Sequence, residues 1–137
     1  MEEFDPIRVL VVDDEEVMRN LMIKILEKAG YKVATAGGGL MAKRVLAEQP
    51  IDIVLTDVKM PDVNGFDLLR EIKADYPHVA VIMMTAYADA FTIKDALLAG
   101  ADEYITKPFK HYEVTVVIER AYWRTQAGRN QIPNTNT

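Results

Sequence analysis

The chain has 137 residues, half of them apolar, 27% charged and none cysteine. That balance fits one globular domain with a single sizeable core and excludes disulfide and thiol chemistry. A formal net charge of -5 with dispersed Lys and Arg argues against a general nucleic-acid-binding surface. No apolar run approaches the ~20 residues of a membrane span, and the acidic start MEEFDP is no signal peptide.

Residues 7–12, IRVLVV, form a short β-branched apolar run read as a buried strand. From residue 15 to 29, Val17, Met18, Leu21, Met22, Ile25, Leu26 and Ala29 recur at helical spacing, and Gly30 is the natural stop. YKVATA (31–36) is a second strand. Gly37 to Gly39 make a turn, and a short helix over 40–48 closes at Gln49-Pro50. IDIVLT (51–56) is a third strand with Asp57 at its end, followed by the loop MPDVNG and a helix over 66–75. VAVIMM (79–84) is the most apolar strand, followed by a helix over 88–99 that stops at Gly100. DEYIT (102–106) is a fifth strand and 110–124 a last helix. The run VTVVI (114–118) locally prefers strand, but its position after the fifth strand and its continuation to Ala121 and Tyr122 favour helix. The polar stretch 126–137 has no period and reads as a disordered tail, and residues 1–6 as an N-terminal extension.

Five strand–helix repeats with continuously apolar strands predict an α/β fold: a parallel sheet covered on both faces, with right-handed crossovers. In that architecture the C-terminal strand ends share one edge, where ligands bind. Asp13 and Asp14 follow the first strand, Asp57 ends the third, Thr85 and Ala86 lie at the end of the fourth, and Lys107 follows the fifth. Each taken alone has an ordinary explanation: a helix cap, a turn residue or a surface lysine. Their convergence at four of the five strand ends is harder to explain that way. Three carboxylates on one rim repel unless a hard cation joins them, and an oxygen-only set points to Mg²⁺. Beside a lysine and a hydroxyl, such a site suits a phosphoryl group, with a carboxylate as nucleophile. Asp57 stands alone at the end of the central strand and is the best nucleophile candidate, whereas Asp13 and Asp14 are paired like metal ligands.

The segments VLVVDDEE, LTDVKMPDVNGFDLL, MMTAYAD and GADEYITKPF, in this order and spacing, resemble the receiver domain of bacterial two-component response regulators. The resemblance spans about residues 7–121, and 7–125 is taken as the domain. It implies the flavodoxin-like, doubly wound (βα)5 sandwich with strand order 2-1-3-4-5. It also implies that Asp57 is the phosphoacceptor. Mg²⁺ would be held by Asp14, Asp57 and the Lys59 backbone carbonyl, with Asp13 partly through water. Thr85 and Ala86 would contact the phosphoryl group, Lys107 would pair with it beside a cis bond to Pro108, and Tyr104 would be the aromatic switch. Met60, Pro61 and Gly65 would shape the loop, and Lys59 and Tyr87 would tune phosphoryl lifetime by hindering water.

The role so implied is a cytoplasmic signal relay. A sensor histidine kinase or phosphotransfer protein would donate to Asp57. The chain would then act as a self-phosphorylating phosphoacceptor with autodephosphorylation rather than a turnover enzyme. The readout face would be the fourth helix, fifth strand and fifth helix, roughly 88–124, meeting a target protein or a second copy. No nucleic-acid or membrane contact by this chain is expected.

Gly37 to Gly39 depart from the family pattern, and so does Lys43, where an apolar residue is usual. The glycines lack phosphate-cradle spacing and read as a loose loop. His78 and His111 read as surface residues. Trp123 and Tyr122 divide evenly between core cover and dimer surface. A stand-alone receiver is placed ahead of a receiver fragment of a longer transcriptional regulator. A phosphorylation-independent interaction module would usually have lost part of the Asp13, Asp14, Asp57, Thr85 and Lys107 set. A phosphohydrolase would want an acid/base Asp where Lys59 stands.

Overall fold

Alternation along the central strands decides the architecture. A computed structural model describes residues 6–86 and 90–131, with side chains described except in 86–93 and 127–131. The strands are β1 (Arg8–Val12), β2 (Lys32–Ala36), β3 (Ile53–Asp57), β4 (Ala80–Ala86) and β5 (Glu103–Lys107). The helices are α1 (Glu16–Lys28), α2 (Gly39–Glu48), α3 (Gly65–Asp75), α4 (Ala90–Leu98) and α5 (His111–Gln131). All strand pairs are parallel, in the order β2-β1-β3-β4-β5. This is the expected doubly wound (βα)5, flavodoxin-like fold.

Val9, Val11, Ile53, Leu55, Ile82 and Met84 point to one face, where α1 supplies Met22, Ile25 and Leu26 and α5 supplies Val114, Val117, Ile118 and Ala121. Leu10, Val12, Val54, Val81 and Met83 point to the other, against Ala42 and Leu46 of α2, Leu68, Leu69 and Ile72 of α3, and Ala96 of α4. With helices on both faces, the strands carry apolar residues at successive positions, as a parallel sheet requires.

The β-branched run in α5 is helical because Val114, Val117, Ile118 and Ala121 fall on one stripe and are buried against the sheet. Tertiary burial overrides local strand preference there. α5 also runs to Gln131, past the expected end at Arg124, so residues 126–131 of the expected disordered tail are helical. No proline occurs between Pro108 and Pro133 to interrupt it. The rest of that expectation, and most of the N-terminal extension, lies outside the described residues.

Gly30 and Gly100, after α1 and α4, have φ of 97° and 102°, a region that side chains with a Cβ avoid. The buried Glu103 of β5 accepts from Arg120 at 2.8 Å on each oxygen and from Arg124 at 2.6 Å, tying β5 to α5. Burial pushes the Glu103 carboxyl up, but the two guanidinium groups outweigh it and hold the carboxyl below its ordinary value. Tyr122 packs against the core, as the core-cover reading has it, while Trp123 is exposed. His78 and His111 are exposed, as expected. Lys43 pairs with Glu71 of α3 across the helix surface. Among the described residues, no helix is long and apolar enough to cross a membrane.

Candidate functional site

The sheet register brings the strand ends level. Val12 is opposite Thr56, Asp57 opposite Met84, Thr85 opposite Thr106 and Ala86 opposite Lys107. One residue beyond the Val12–Thr56 step, Asp13 leaves β1 beside Asp57. Asp13, Asp14 and Asp57 each offer a carboxylate oxygen, all within 4.8 Å of one another. Lys107 reaches between the first and third: its Nζ is 3.6 Å from Asp13 Oδ2 and 3.5 Å from Asp57 Oδ2.

The three carboxylates differ in setting. Asp13 is fully buried, Asp57 half-buried and Asp14 exposed. Asp13 Oδ1 accepts from the Glu15 backbone N–H at 2.9 Å, an Asx turn that leads the chain out of β1 toward α1. Its Oδ2 is buried and makes no hydrogen bond. Asp57 Oδ1 accepts from the Val58 N–H at 2.8 Å, which fixes the carboxyl plane. Burial pushes the Asp57 carboxyl up; Lys107 opposes this, and the Asp13 charge adds to it.

Thr85 lies inside β4 rather than capping a helix, and its buried Oγ1 also lacks a hydrogen-bond partner. Among the described residues both atoms lack a hydrogen bond, and for Asp13 Oδ2 only the more distant Lys107 ammonium offsets the cost of burial. The Oδ2 of Asp13, the oxygen-only donor set and its spacing fit a hard divalent cation such as Mg²⁺. The expected metal donor Lys59 is exposed on the loop after β3, with Met60 packed on the second core cluster and Pro61 exposed. The bond from Lys107 to Pro108 is cis, as the resemblance implied. Tyr104 is half-buried on β5 opposite Met83. Ala86 is described by its backbone only, and Tyr87 lies outside the described residues.

Gly65 opens α3 against the backbone of β3. A Cβ there would lie 2.5 Å from the Asp57 carbonyl oxygen and 2.9 Å from Val58 Cα. The Gly65 N–H donates to the Val58 carbonyl at 2.7 Å, closing the loop beneath Asp57. Asn64 caps α3 by accepting from the Asp67 N–H at 2.9 Å.

The sequence did not single out Arg19, whose Nη1 donates to the Asp13 carbonyl at 2.8 Å and braces the strand exit. Its place one turn into the helix after Asp13-Asp14 is the only local signal. The loose loop expected at Gly37 to Gly39 is not what forms. Gly38 and Gly39 are buried, Gly39 begins α2, and Asp62 of the β3–α3 loop accepts from the N–H groups of Gly39 and Leu40 at 3.1 Å each. A Cβ on Gly38 would crowd the Asp62 carboxylate and one on Gly39 the Val63 Cβ, whereas Gly37 has room for one. Grooves of about 410 Å³ around Arg8, Tyr31 and Lys32 and about 500 Å³ around Phe66, Arg70 and Leu98 contain none of the three aspartates.

A family model described as the response regulator receiver domain matches residues 9–119. The regulatory protein AtoC of Escherichia coli is 35% identical over 83% of this chain and 25% of its own length. The probable transcriptional regulatory protein TcrX of Mycobacterium tuberculosis is 38% identical over 88% of this chain and 51% of its own. The chain thus spans about a quarter to a half of these curated relatives. A crystal structure of a response regulator receiver domain protein from Clostridium thermocellum superposes with a TM-score of 0.83 at 36% identity, covering 88% of this chain and 98% of that one.

Proposed function

The chain belongs to the response regulator receiver domain family, and from that premise we propose that it relays a signal by accepting a phosphoryl group on Asp57 from the phosphohistidine of a sensor kinase or phosphotransfer protein. The observation that carries this reading is the ammonium of Lys107 between the carboxylates of Asp13 and Asp57, together with an Asp13 Oδ2 and a Thr85 Oγ1 that make no hydrogen bond among the described residues.

In the proposed step the Asp57 carboxylate attacks phosphorus. The new O–P bond forms as the P–N bond breaks, and the imidazole leaves with the electron pair. Lys107 neutralises charge on the transferred oxygens, and the Thr85 hydroxyl donates to one of them. Asp13, Asp14, Asp57 and the Lys59 carbonyl would hold Mg²⁺, which when bound would supply a second, divalent cation beside Lys107. Hydrolysis by water resets the carboxylate, with Lys59 and Tyr87 setting how readily water enters. The setting proposed is the cytoplasm.

The phosphoryl group biases a two-state equilibrium read on α4, β5 and α5. Tyr112, Val116 and Trp123 support that surface: all are exposed, and their spacing puts them on one stripe of α5. Leu97 and Leu98 of α4 are exposed as well. The length of the curated relatives favours a second reading, in which this receiver is one part of a longer transcriptional regulator; the chemistry at Asp57 is the same in both.

The test is incubation with Mg²⁺ and a small phosphodonor, followed by intact mass. One phosphoryl group should be gained, and excess chelator should abolish the gain. Folded protein that takes up nothing from small donors or from a panel of histidine kinases would refute the proposal.

A further inference from the structure

The geometry points to Asp62 as a positioning residue that fixes the loop after Asp57 and ties occupancy of the acidic site to helix α2. α2 has no cap of its own: Gly38 occupies the cap position and carries no side chain. Asp62 fills that role from another loop. Its Oδ1 accepts from the Gly39 N–H and its Oδ2 from the Leu40 N–H, each at 3.1 Å, and Oδ1 also accepts from its own neighbour Val63 at 2.6 Å. One carboxylate thus takes three backbone N–H groups from two segments that are far apart in the chain.

The sequence around it is shaped to this contact. A Cβ on Gly38 would lie 2.7 and 2.8 Å from the Asp62 carboxylate oxygens, and one on Gly39 would lie 2.6 Å from Val63 Cβ. A side chain at Gly38 would push the Asp62 carboxylate off the helix start, and one at Gly39 would push against Val63. The backbone hydrogen bonds from Leu40, Val63 and Gly39 hold the Asp62 carboxyl below its ordinary value.

The loop is short and held at both ends. It leaves β3 at Asp57 and re-enters at Gly65, whose N–H is bonded to Val58. Lys59, Met60 and Pro61 lie between; Met60 and Val63 pack on the core cluster beneath α2, and among the described residues Asp62 is the loop side chain that hydrogen-bonds to α2. Movement of the Lys59 carbonyl must load or unload the two bonds to α2. Coupling between two sites is reciprocal: if filling the acidic site steadies the loop, it must also steady the first turn of α2. That turn carries Leu40 and Met41, both exposed, above a groove of about 460 Å³ lined also by Arg44 and Pro61. A change at Asp57 therefore reaches a second face, separate from α4 and α5.

This inference rests on the proposed metal and phosphoryl chemistry, and the experiment separates the two. Amide hydrogen exchange at Gly39 and Leu40 is measured with and without Mg²⁺ in the wild type, Asp62→Asn, Asp62→Ala and Asp67→Asn, alongside Mg²⁺ affinity by calorimetry. Asp67 is exposed and outside the site, so its variant controls for the loss of one negative charge. Asp62→Asn keeps an acceptor oxygen without the charge.

In the wild type, Mg²⁺ should slow exchange at Gly39 and Leu40. In Asp62→Ala, basal exchange should be about fivefold faster, the size of a lost cap. The Mg²⁺ response should vanish, and affinity should fall severalfold beyond that of Asp67→Asn. Asp62→Asn should recover part of both. Equal Mg²⁺ responses in the wild type and Asp62→Ala would overturn the coupling. Equal affinities for Asp62→Ala and Asp67→Asn would reduce Asp62 to a surface charge. Wild-type protein that binds no Mg²⁺ would remove the reading beneath it as well.

Discussion

Replacing Gly65 by alanine sets two opposed effects against each other. Alanine favours helix over glycine by up to about 1 kcal/mol, less at the first position of α3. Against this, the new methyl would sit 2.5 Å from the Asp57 carbonyl oxygen, about 0.9 Å inside ordinary contact, and 2.9 Å from Val58 Cα. Both are backbone atoms, at the end of β3 and one residue past it, and cannot swing aside, unlike the Met83 methyl at 3.1 Å. Overpacking of this kind costs about 1–3 kcal/mol, and here the upper part of that range applies. The net effect is a loss of about 2 kcal/mol. Urea unfolding followed by far-ultraviolet circular dichroism should show a midpoint lowered by roughly 1 M at an unchanged slope. The strain falls on the residue that carries the nucleophile, so phosphoryl uptake should also slow, by up to ~10²-fold if the carboxylate shifts by about an ångström. A midpoint equal to or above wild type would refute the packing argument.

Lys107→Ala removes the one cation that pairs with both Asp13 and Asp57 among the described residues; phosphoryl uptake by intact mass should slow by ~10²-fold or more, while the fold persists by circular dichroism. Ile118→Ala opens a cavity where α5 meets the sheet and should cost about 2–5 kcal/mol in urea unfolding, which also checks that the β-branched stretch is buried helix. The pairing of Glu103 with Arg120 and Arg124 depresses its carboxyl, so its stabilisation is complete above the ordinary glutamate value of about 4.3 and is lost as pH falls through the depressed one. The stability gap between wild type and Glu103→Gln should therefore be constant from about pH 5 to 7 and shrink below about pH 4.

The fold was largely legible because each strand is a run of buried residues and each helix a stripe, and these are local patterns. The acidic rim was legible for a different reason: in a parallel sheet the strand ends must converge, so Asp13, Asp57, Thr85 and Lys107 could be brought together without coordinates. What stayed hidden depended on distant partners. Gly37 to Gly39 looked like a loose loop because Asp62, which makes that segment tight, lies more than twenty residues away. Glu103 looked like an ordinary strand residue, and its two arginines come from α5. Arg19 gave no sign that it braces the Asp13 carbonyl, since that bond exists only after the strand has turned into α1. The extension of α5 to Gln131 was missed because a polar stretch without period can still continue a helix already formed.

The central claim is that Asp57 carries the phosphoryl group. It is tested most directly by treating the phosphodonor-labelled protein with borohydride, which reduces an acyl phosphate to an alcohol, and mapping the product by peptide mass. The reduced side chain should be found at position 57 alone, and Asp57→Asn should give none. Reduction at Asp13, Asp14 or any other residue, or labelling that survives in Asp57→Asn, would contradict the account.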